Sequence, residues 1–335
     1  MDDAQNIISF LLLMILLVSL LLYVVLDGFD LGVGTLALTE SDGHDRHEMM
    51  ETIATVWDGN ESWMVLAGAA LFAGFPFAFG VVLPALYIPV TVMALALVFR
   101  GVAFEFQAQY EEYKHRWGLS FSLGSLVAAF SQGVILGALL TGIPVVNGQP
   151  AGGALDFLAP FSLLTGLFVT AFYVLSGAAW LVYKTEGELL ESSRRKGRRA
   201  AVACGGLLPV TVLAAAFSSP VAANAVAGFR LPLVAGVGAV AVAALVAAYL
   251  TLGSRDDGVP LLYSSLSLAA LVAAVAVAAF PYLAPPDITY LNAAAPASSA
   301  ILILVFVGPA IPVTIAYNAY AYWVFRGKQH PEAGA

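Results

Sequence analysis

Apolar residues in this chain do not alternate with polar ones; they run together. No charged residue interrupts "IISFLLLMILLVSLLLYVVL" between Ile7 and Leu26. Runs of this kind recur along the whole length, each close to the ~20 residues a helix needs to cross a ~30 Å hydrocarbon layer. The pattern predicts nine spanning helices, at about 7–36, 57–76, 78–100, 119–143, 161–183, 200–217, 232–252, 261–281 and 299–325. Strand-like alternation is absent. Pro84 and Pro89 in the third span, and Pro309 and Pro312 in the ninth, predict local kinks. Faces rich in Ala and Gly predict close helix packing. The sixth span is the shortest, and nothing separates a soluble domain from the rest, so residues 1–335 read as one transmembrane domain.

Composition sharpens this into an all-α polytopic membrane protein. Of 335 residues, 60% are hydrophobic and 11% charged, against about 25% charged in soluble domains. A net charge of −8 argues against nucleic acid as a partner. The single cysteine, Cys204, excludes a disulfide framework within the chain. The N-terminus, Met1-Asp2-Asp3, has no basic region, and no small-residue cleavage site follows the first run, so that run is read as a retained helix.

Charge gives the orientation. With the N-terminus outside, thirteen of the fourteen Lys and Arg residues fall on the inner side and only Arg230 on the outer. That split is a strong positive-inside signal for nine spans with a cytoplasmic C-terminus, and one span more or fewer would scramble it. The basic run "SSRRKGRR" (192–199) is placed in the inner loop between the fifth and sixth spans. A topology-setting solvated loop is the favoured reading, with anionic lipid head groups or a soluble partner as alternatives.

Five acidic residues stay at or within span ends: Asp27, Asp30, Asp58, Glu61 and Glu105. All five fall toward the cytoplasmic side. Asp27 and Asp30 are three residues apart, sharing a helix face with Tyr23 and Gly34, and Asp58 and Glu61 repeat that spacing. Acids inside a membrane cost about 2.5–3.5 kcal/mol each at mid-depth and usually mark function. Arg100 is the one obvious local counter-charge. Five carboxylates beside one guanidinium cannot all stay ionised, so the set points to proton handling, cation binding or a charged subunit interface. For Asp58 and Glu61, helix capping and the macrodipole are a competing explanation; Asp27, at the end of an apolar run, has no cap to make. "GFDLG" (28–32) fits close helix contact. Trp57 and Trp63 flank the acidic pair and fit interface anchors, Trp63 especially.

The histidines narrow the chemistry. His44, His47, His115 and His330 all fall in inner loops or the tail. A membrane-embedded haem normally takes an axial His from a helix, so this chain is not expected to hold one by itself. His44 and His47 with Asp42 and Asp45 fit a solvated loop better than a surface metal site. No nucleophile–base pair or nucleotide motif is present.

Taken in order, "LDGFDLGVG" (26–34), "WDGNESW" (57–63), "ALFAGFP" (70–76) and "FRGVAFEF" (99–106) resemble subunit II of cytochrome bd-type quinol oxidases. The nine-span pattern extends the resemblance over the whole chain. "FRGVAFEF" and "APPD" (284–287) look closer to the cyanide-insensitive branch. The resemblance implies a bacterial or archaeal-type cytoplasmic-membrane terminal oxidase that oxidises quinol and reduces O2 to water. It implies two b-type haems and one d-type haem in subunit I, with subunit II as the haem-free partner, built as two four-helix bundles plus a peripheral helix. A small single-span subunit and membrane lipids are further expected partners, and quinone or quinol the cofactor of the complex.

By the same resemblance, a proton route from the cytoplasm would run through Asp58 and Glu105, with Asp27 and Glu61 as further members. Relatives often carry Asp where Glu105 stands, so the step there is one methylene longer. A cation or structural polar site is implied near Asp30 and Asp58, with Arg100 beside it, and Trp57 matches a quinone or subunit contact. Two other readings use the same residues. A proton- or cation-coupled transporter would need no haem partner and would place its acids near mid-membrane. A purely structural scaffold would use them as caps and interface pairs.

Overall fold

The computed structural model describes residues 3–40, 43–109 and 113–328. Asp2, Asp42, Glu111, Glu112, His330 and Glu332 lie outside the described residues. The described chain is helical apart from two small hairpins. Its helices are α1 (Asp3–Ala37), α2 (Gly43–Glu51), α3 (Trp57–Gly74), α4 (Pro76–Ala85), α5 (Tyr87–Gln109) and α6 (Lys114–Thr141), followed by α7 (Pro160–Lys184), α8 (Gly187–Ser218), α9 (Pro220–Ala225), α10 (Arg230–Thr251), α11 (Val259–Ala279) and α12 (Ala297–Val324). Eight are long and apolar enough to cross a membrane, and the α3–α4 pair adds a ninth if it is one broken span.

Two predicted segments are corrected. The third, 78–100, is not one helix: α4 ends at Ala85, Leu86 caps it, and α5 begins at Tyr87 and continues to Gln109. Pro76 sets the preceding break. Proline disfavours helical backbone at the residue before it, and Phe75 (φ −135°, ψ 61°) ends α3 and opens α4 at a 119° bend. At ~1.5 Å per residue, α4 is too short to cross a membrane. Pro89 stands in the first turn of α5, where no intrahelical N–H is lost. Pro309 and Pro312 lie inside α12 without interrupting it. The second correction concerns "SSRRKGRR", which belongs to α8 and not to a loop; only Thr185 and Glu186 separate α7 from α8. Ion pairs hold this extension helical: Arg194 to Glu191 and Asp257, both at 2.8 Å, and Lys196 to Glu40.

The hairpins are too short, at two or three residues per strand, to show as a pattern in the sequence. β1 (Val145–Val146) pairs antiparallel with β2 (Gln149–Pro150) across Asn147-Gly148, both at positive φ, as a two-residue hairpin turn requires. β3 (Tyr282–Ala284) pairs with β4 (Ile288–Thr289). Both lie at one end of the bundle, joined where Ile143 N–H donates to the Pro285 carbonyl at 3.0 Å.

α1 is the central helix, packing on α3, α6, α7, α11 and α12, while α5 pairs with α6, α7 with α8, and α10 with α11. At the other end of α1, buried Arg46 of α2 donates to the Ala37 and Glu40 carbonyls at 3.1 and 2.7 Å. It thereby caps the carbonyls left open by the end of α1. The end of α12 is similarly clamped. Lys184 donates to the Phe325 and Gly327 carbonyls, Tyr183 to Arg326 at 2.9 Å, and Lys328 reaches the Thr185 carbonyl and, at 2.6 Å, Asp257.

Asp257 lies in the α10–α11 connection. Burial alone would raise its pKa, but hydrogen bonds from Lys328 and Arg194 outweigh that and hold it below the usual carboxylate value. Its stabilisation is therefore present above the unfolded pKa of about 4 and lost as pH falls through the lower folded value. Asp257→Asn is expected to cost about 1 kcal/mol or less at pH 7. The difference in thermal midpoint from wild type should shrink toward zero as pH drops below about 4.

Candidate functional site

Close helix approaches bring a polar cluster together in the core of the bundle. A Cβ on Gly32 of α1 would lie 1.7 Å from the Tyr173 carbonyl of α7, and one on Gly177 of α7 would lie 2.4 Å from the Gly32 carbonyl carbon, so the two backbones touch. Gly28 faces the Tyr173 ring. On α6, a Cβ at Gly124 would meet the Ala96 carbonyl at 2.7 Å and the Arg100 nitrogen at 3.2 Å, so glycine there lets α5 in. This approach carries the Arg100 side chain in toward α1.

Asp27, Asp30 and Arg100 are fully buried together. Arg100 Nη1 donates to Asp27 Oδ1 at 2.8 Å, and Arg100 Nη2 lies 3.8 Å from Asp30 Oδ2. Asn60 Nδ2, also fully buried, donates to Asp30 Oδ2 at 2.8 Å, and Tyr322 Oη of α12 donates to Asn60 Oδ1 at 2.8 Å. The guanidinium carbon stands 5.9 Å from the Trp57 ring centre, and Trp57 stacks on Phe104 at 5.0 Å and 4°. Asp27 Oδ2, Asp30 Oδ1, Arg100 Nε and Arg100 Nη2 have no hydrogen-bond partner among the described residues. Two carboxylates thus share one guanidinium and retain free acceptor capacity in a medium where an unpaired polar atom is costly.

A second polar set lies one turn along α1. Tyr23 Oη accepts from Gln132 Nε2 at 2.6 Å, and Tyr173 Oη donates to Gln132 Oε1 at 2.8 Å. It links α1, α6 and α7 deep in the apolar core.

The remaining acids form a gradient of exposure. Asp58, in the first turn of α3, is exposed, and Glu61, one turn on, is half-buried. Val56 caps α3 without a side-chain bond, so neither acid acts as N-cap. Glu105 lies inside α5 and is exposed on the surface of the isolated chain. Asp30 takes its hydrogen bond from Asn60, two residues beyond Asp58. Trp63 is a correction: it is buried, 1% exposed, with Nε1 unpartnered among the described residues, where an interface anchor would reach the headgroup layer.

Sequence reasoning missed Asn60, Tyr322, Gln132, Tyr173 and Gly124. Asn60 stood in plain view inside "WDGNESW", overshadowed by its acidic neighbours. Tyr322 and Gln132 carry no local signal, because their partners are 262 and 109 residues away.

His44 and His47 lie on the short polar α2, with His47 3.1 Å from Glu51, and His115, in the first turn of α6, is 3.3 Å from Arg46 Nη1. No group of three or more His, Cys, Asp or Glu side chains able to hold a metal ion occurs among the described residues.

Residues 8–325 match the family described as cytochrome bd terminal oxidase subunit II. The chain is 30% identical to cytochrome bd-I ubiquinol oxidase subunit 2 of Escherichia coli K12, over 93% of each chain. It is 28% identical to cytochrome bd ubiquinol oxidase subunit 2 of Bacillus subtilis, over 90% of each. In fold it is similar to a chain of the bd oxidase structure from Geobacillus thermodenitrificans, with a TM-score of 0.78 at 18% identity, covering 95% of this chain and 97% of that one. With nearly its whole length matched, the chain belongs to the cytochrome bd terminal oxidase subunit II family.

Proposed function

We propose that this chain is the haem-free subunit of a quinol oxidase of the cytoplasmic membrane, and that it conducts protons inward toward a haem-bearing subunit I. In this reading it is arranged as two four-helix bundles plus a peripheral helix, with its N-terminus outside and its C-terminus in the cytoplasm. Family membership supports a role in a quinol-oxidising complex, and the placement of the histidines supports haem ligation by the partner.

The observation that carries the proton route is the burial gradient. Reducing O2 to water consumes protons, and a buried site needs a path for them. Asp58 is open to water, Glu61 stands between, and Asp27 and Asp30 are closed off with one unpartnered carboxylate oxygen each. A proton taken up at Asp58 passes by way of Glu61 to those oxygens. Arg100 holds the inner pair in place and limits the charge left behind when the proton moves on. Trp57, beside Arg100, is assigned to a quinone or subunit contact, and exposed Glu105, farther along α5, to a further step of the proton route. Taking protons from the inside while quinol releases its own outside builds a proton-motive force without a separate pumping step.

Asp58→Asn and Glu61→Gln keep size and hydrogen bonding but cannot carry a proton. Each is expected to lower quinol-driven O2 uptake about tenfold or more, within the range of a lost proton-transfer group, while the visible spectrum of the complex stays unchanged. Full turnover in both variants would instead favour the scaffold reading, for which the closed Asp27–Arg100 ion pair is the supporting observation.

A further inference from the structure

The basic run of α8 divides by face. Arg194 and Lys196 turn toward the protein and are spent in ion pairs with Glu191, Asp257 and Glu40. Arg195, Arg198 and Arg199 are exposed and make no ion pair among the described residues. Arg195 and Arg199, four residues apart, share one helix face, and Arg198 stands beside them with its guanidinium edge against Gly253, where a Cβ would come within 2.3 Å of Nη2.

What lies beneath them identifies the ligand. Following Arg195 and Arg199 along the same helix face at three- and four-residue steps leads to Val202, Gly206, Val210, Leu213 and Phe217. These are exposed as well, with Val202 at 65% and Phe217 at 84%. A Cβ at Gly205 or Gly206 would meet nothing within 4 Å, so the face is open just below the arginines. From Ala200 to Ser218 the helix rises about 28 Å, close to one hydrocarbon thickness. The arginines therefore sit at headgroup depth, directly over an unbroken apolar face. Soluble anions or acidic peptides would match the charge but not the apolar continuation.

We infer that α8 carries a binding site for an anionic phospholipid, its phosphate held by Arg195, Arg198 and Arg199 and an acyl chain lying along Val202, Gly206, Val210 and Leu213. The site requires only that α8 cross the membrane and is independent of the oxidase chemistry. The inward-facing Arg194 and Lys196 rigidify the helix that presents it.

The test uses the whole complex, purified in detergent with both subunits. Native mass spectrometry would follow retention of added phosphatidylglycerol against phosphatidylcholine. Wild type should retain phosphatidylglycerol preferentially. The triple variant R195Q/R198Q/R199Q should lose at least about tenfold of that preference, from about fivefold per arginine at a membrane surface. R195K/R198K/R199K should keep most of it, and K114Q/R116Q should leave it unchanged. Glycerol phosphate at millimolar concentration should not compete, since it lacks the acyl chains. Because the glutamine variant can fail by misassembly, a phosphatidylglycerol analogue with a photoreactive headgroup should in parallel label wild-type α8 near Arg195–Val202. Equal retention of the two lipids by wild type, competition by glycerol phosphate, or labelling confined to other helices or to subunit I would each overturn the site.

Discussion

Replacing Arg100 by Met is expected to destabilise the assembled protein by about 3–5 kcal/mol, the cost of breaking a fully buried ion pair from one side. The side chain is 0% exposed, and its loss leaves Asp27 without its 2.8 Å partner and Asp30 with Asn60 alone. Both carboxylates are fully buried, so neither is compensated by bulk water once the guanidinium is gone. The expected readout is a large fall in the thermal midpoint of the detergent-purified complex, or loss of the complex from the membrane. Removing the charges together separates electrostatics from packing. D27N/D30N/R100M should recover a substantial part of the lost stability, since all members of an interacting set change at once. Equal damage from the triple and the single variant would show that Arg100 matters for its shape and not its charge.

Gly32→Val is expected to be as damaging for a different reason. Its Cβ would fall 1.7 Å from the Tyr173 carbonyl and 2.9 Å from the Gly177 nitrogen, both backbone atoms that cannot swing aside. α1 and α7 would have to separate, at a cost above about 3 kcal/mol, beyond ordinary overpacking. The separation would also pull Tyr173 from Gln132 and Gln132 from Tyr23. Gly236→Val is the control, because a Cβ there meets open space; it should change the thermal midpoint little.

Much of this arrangement is legible in the sequence, and the boundary of legibility is physical. The spans that became α1, α6, α7, α10, α11 and α12 are each bounded by polar or Pro- and Gly-rich connections, and their predicted limits fall within a few residues of the observed ones. Between Met64 and Phe99 no charge or polar loop intervenes, so hydropathy cannot say where one helix stops. The break is local chemistry at Phe75-Pro76, and the chain bends 119° there into α4, which is itself uncharged and apolar. The sequence pattern places the N-terminal turns of α8 in a loop because charge marks the end of a membrane span, not the end of a helix. Long Arg and Lys side chains are good helix formers, and their partners, Glu40 and Asp257, come from distant connections.

The candidate site shows the same division. Acids embedded in apolar sequence are conspicuous, so Asp27, Asp30, Asp58, Glu61 and Arg100 stand out from composition and spacing alone. Depth does not. That Asp58 is exposed while Asp30, on a helix face of similar pattern, is sealed depends on which helices cross over it. The partners that seal it, Asn60 and Tyr322, are ordinary residues made significant only by the packing of α3 and α12 on α1.

The most direct test of the central claim, that this chain serves a quinol oxidase as its haem-free subunit, is a reduced-minus-oxidised visible spectrum with quinol-driven O2 uptake. The sample is this chain, tagged and co-expressed with subunit I, both as wild type and with His44, His47, His115 and His330 all replaced by Gln. Both preparations should show b- and d-type haem bands of equal intensity per complex and should consume O2. A blank spectrum with subunit I present, or haem bands lost in the histidine-free chain, would contradict the account.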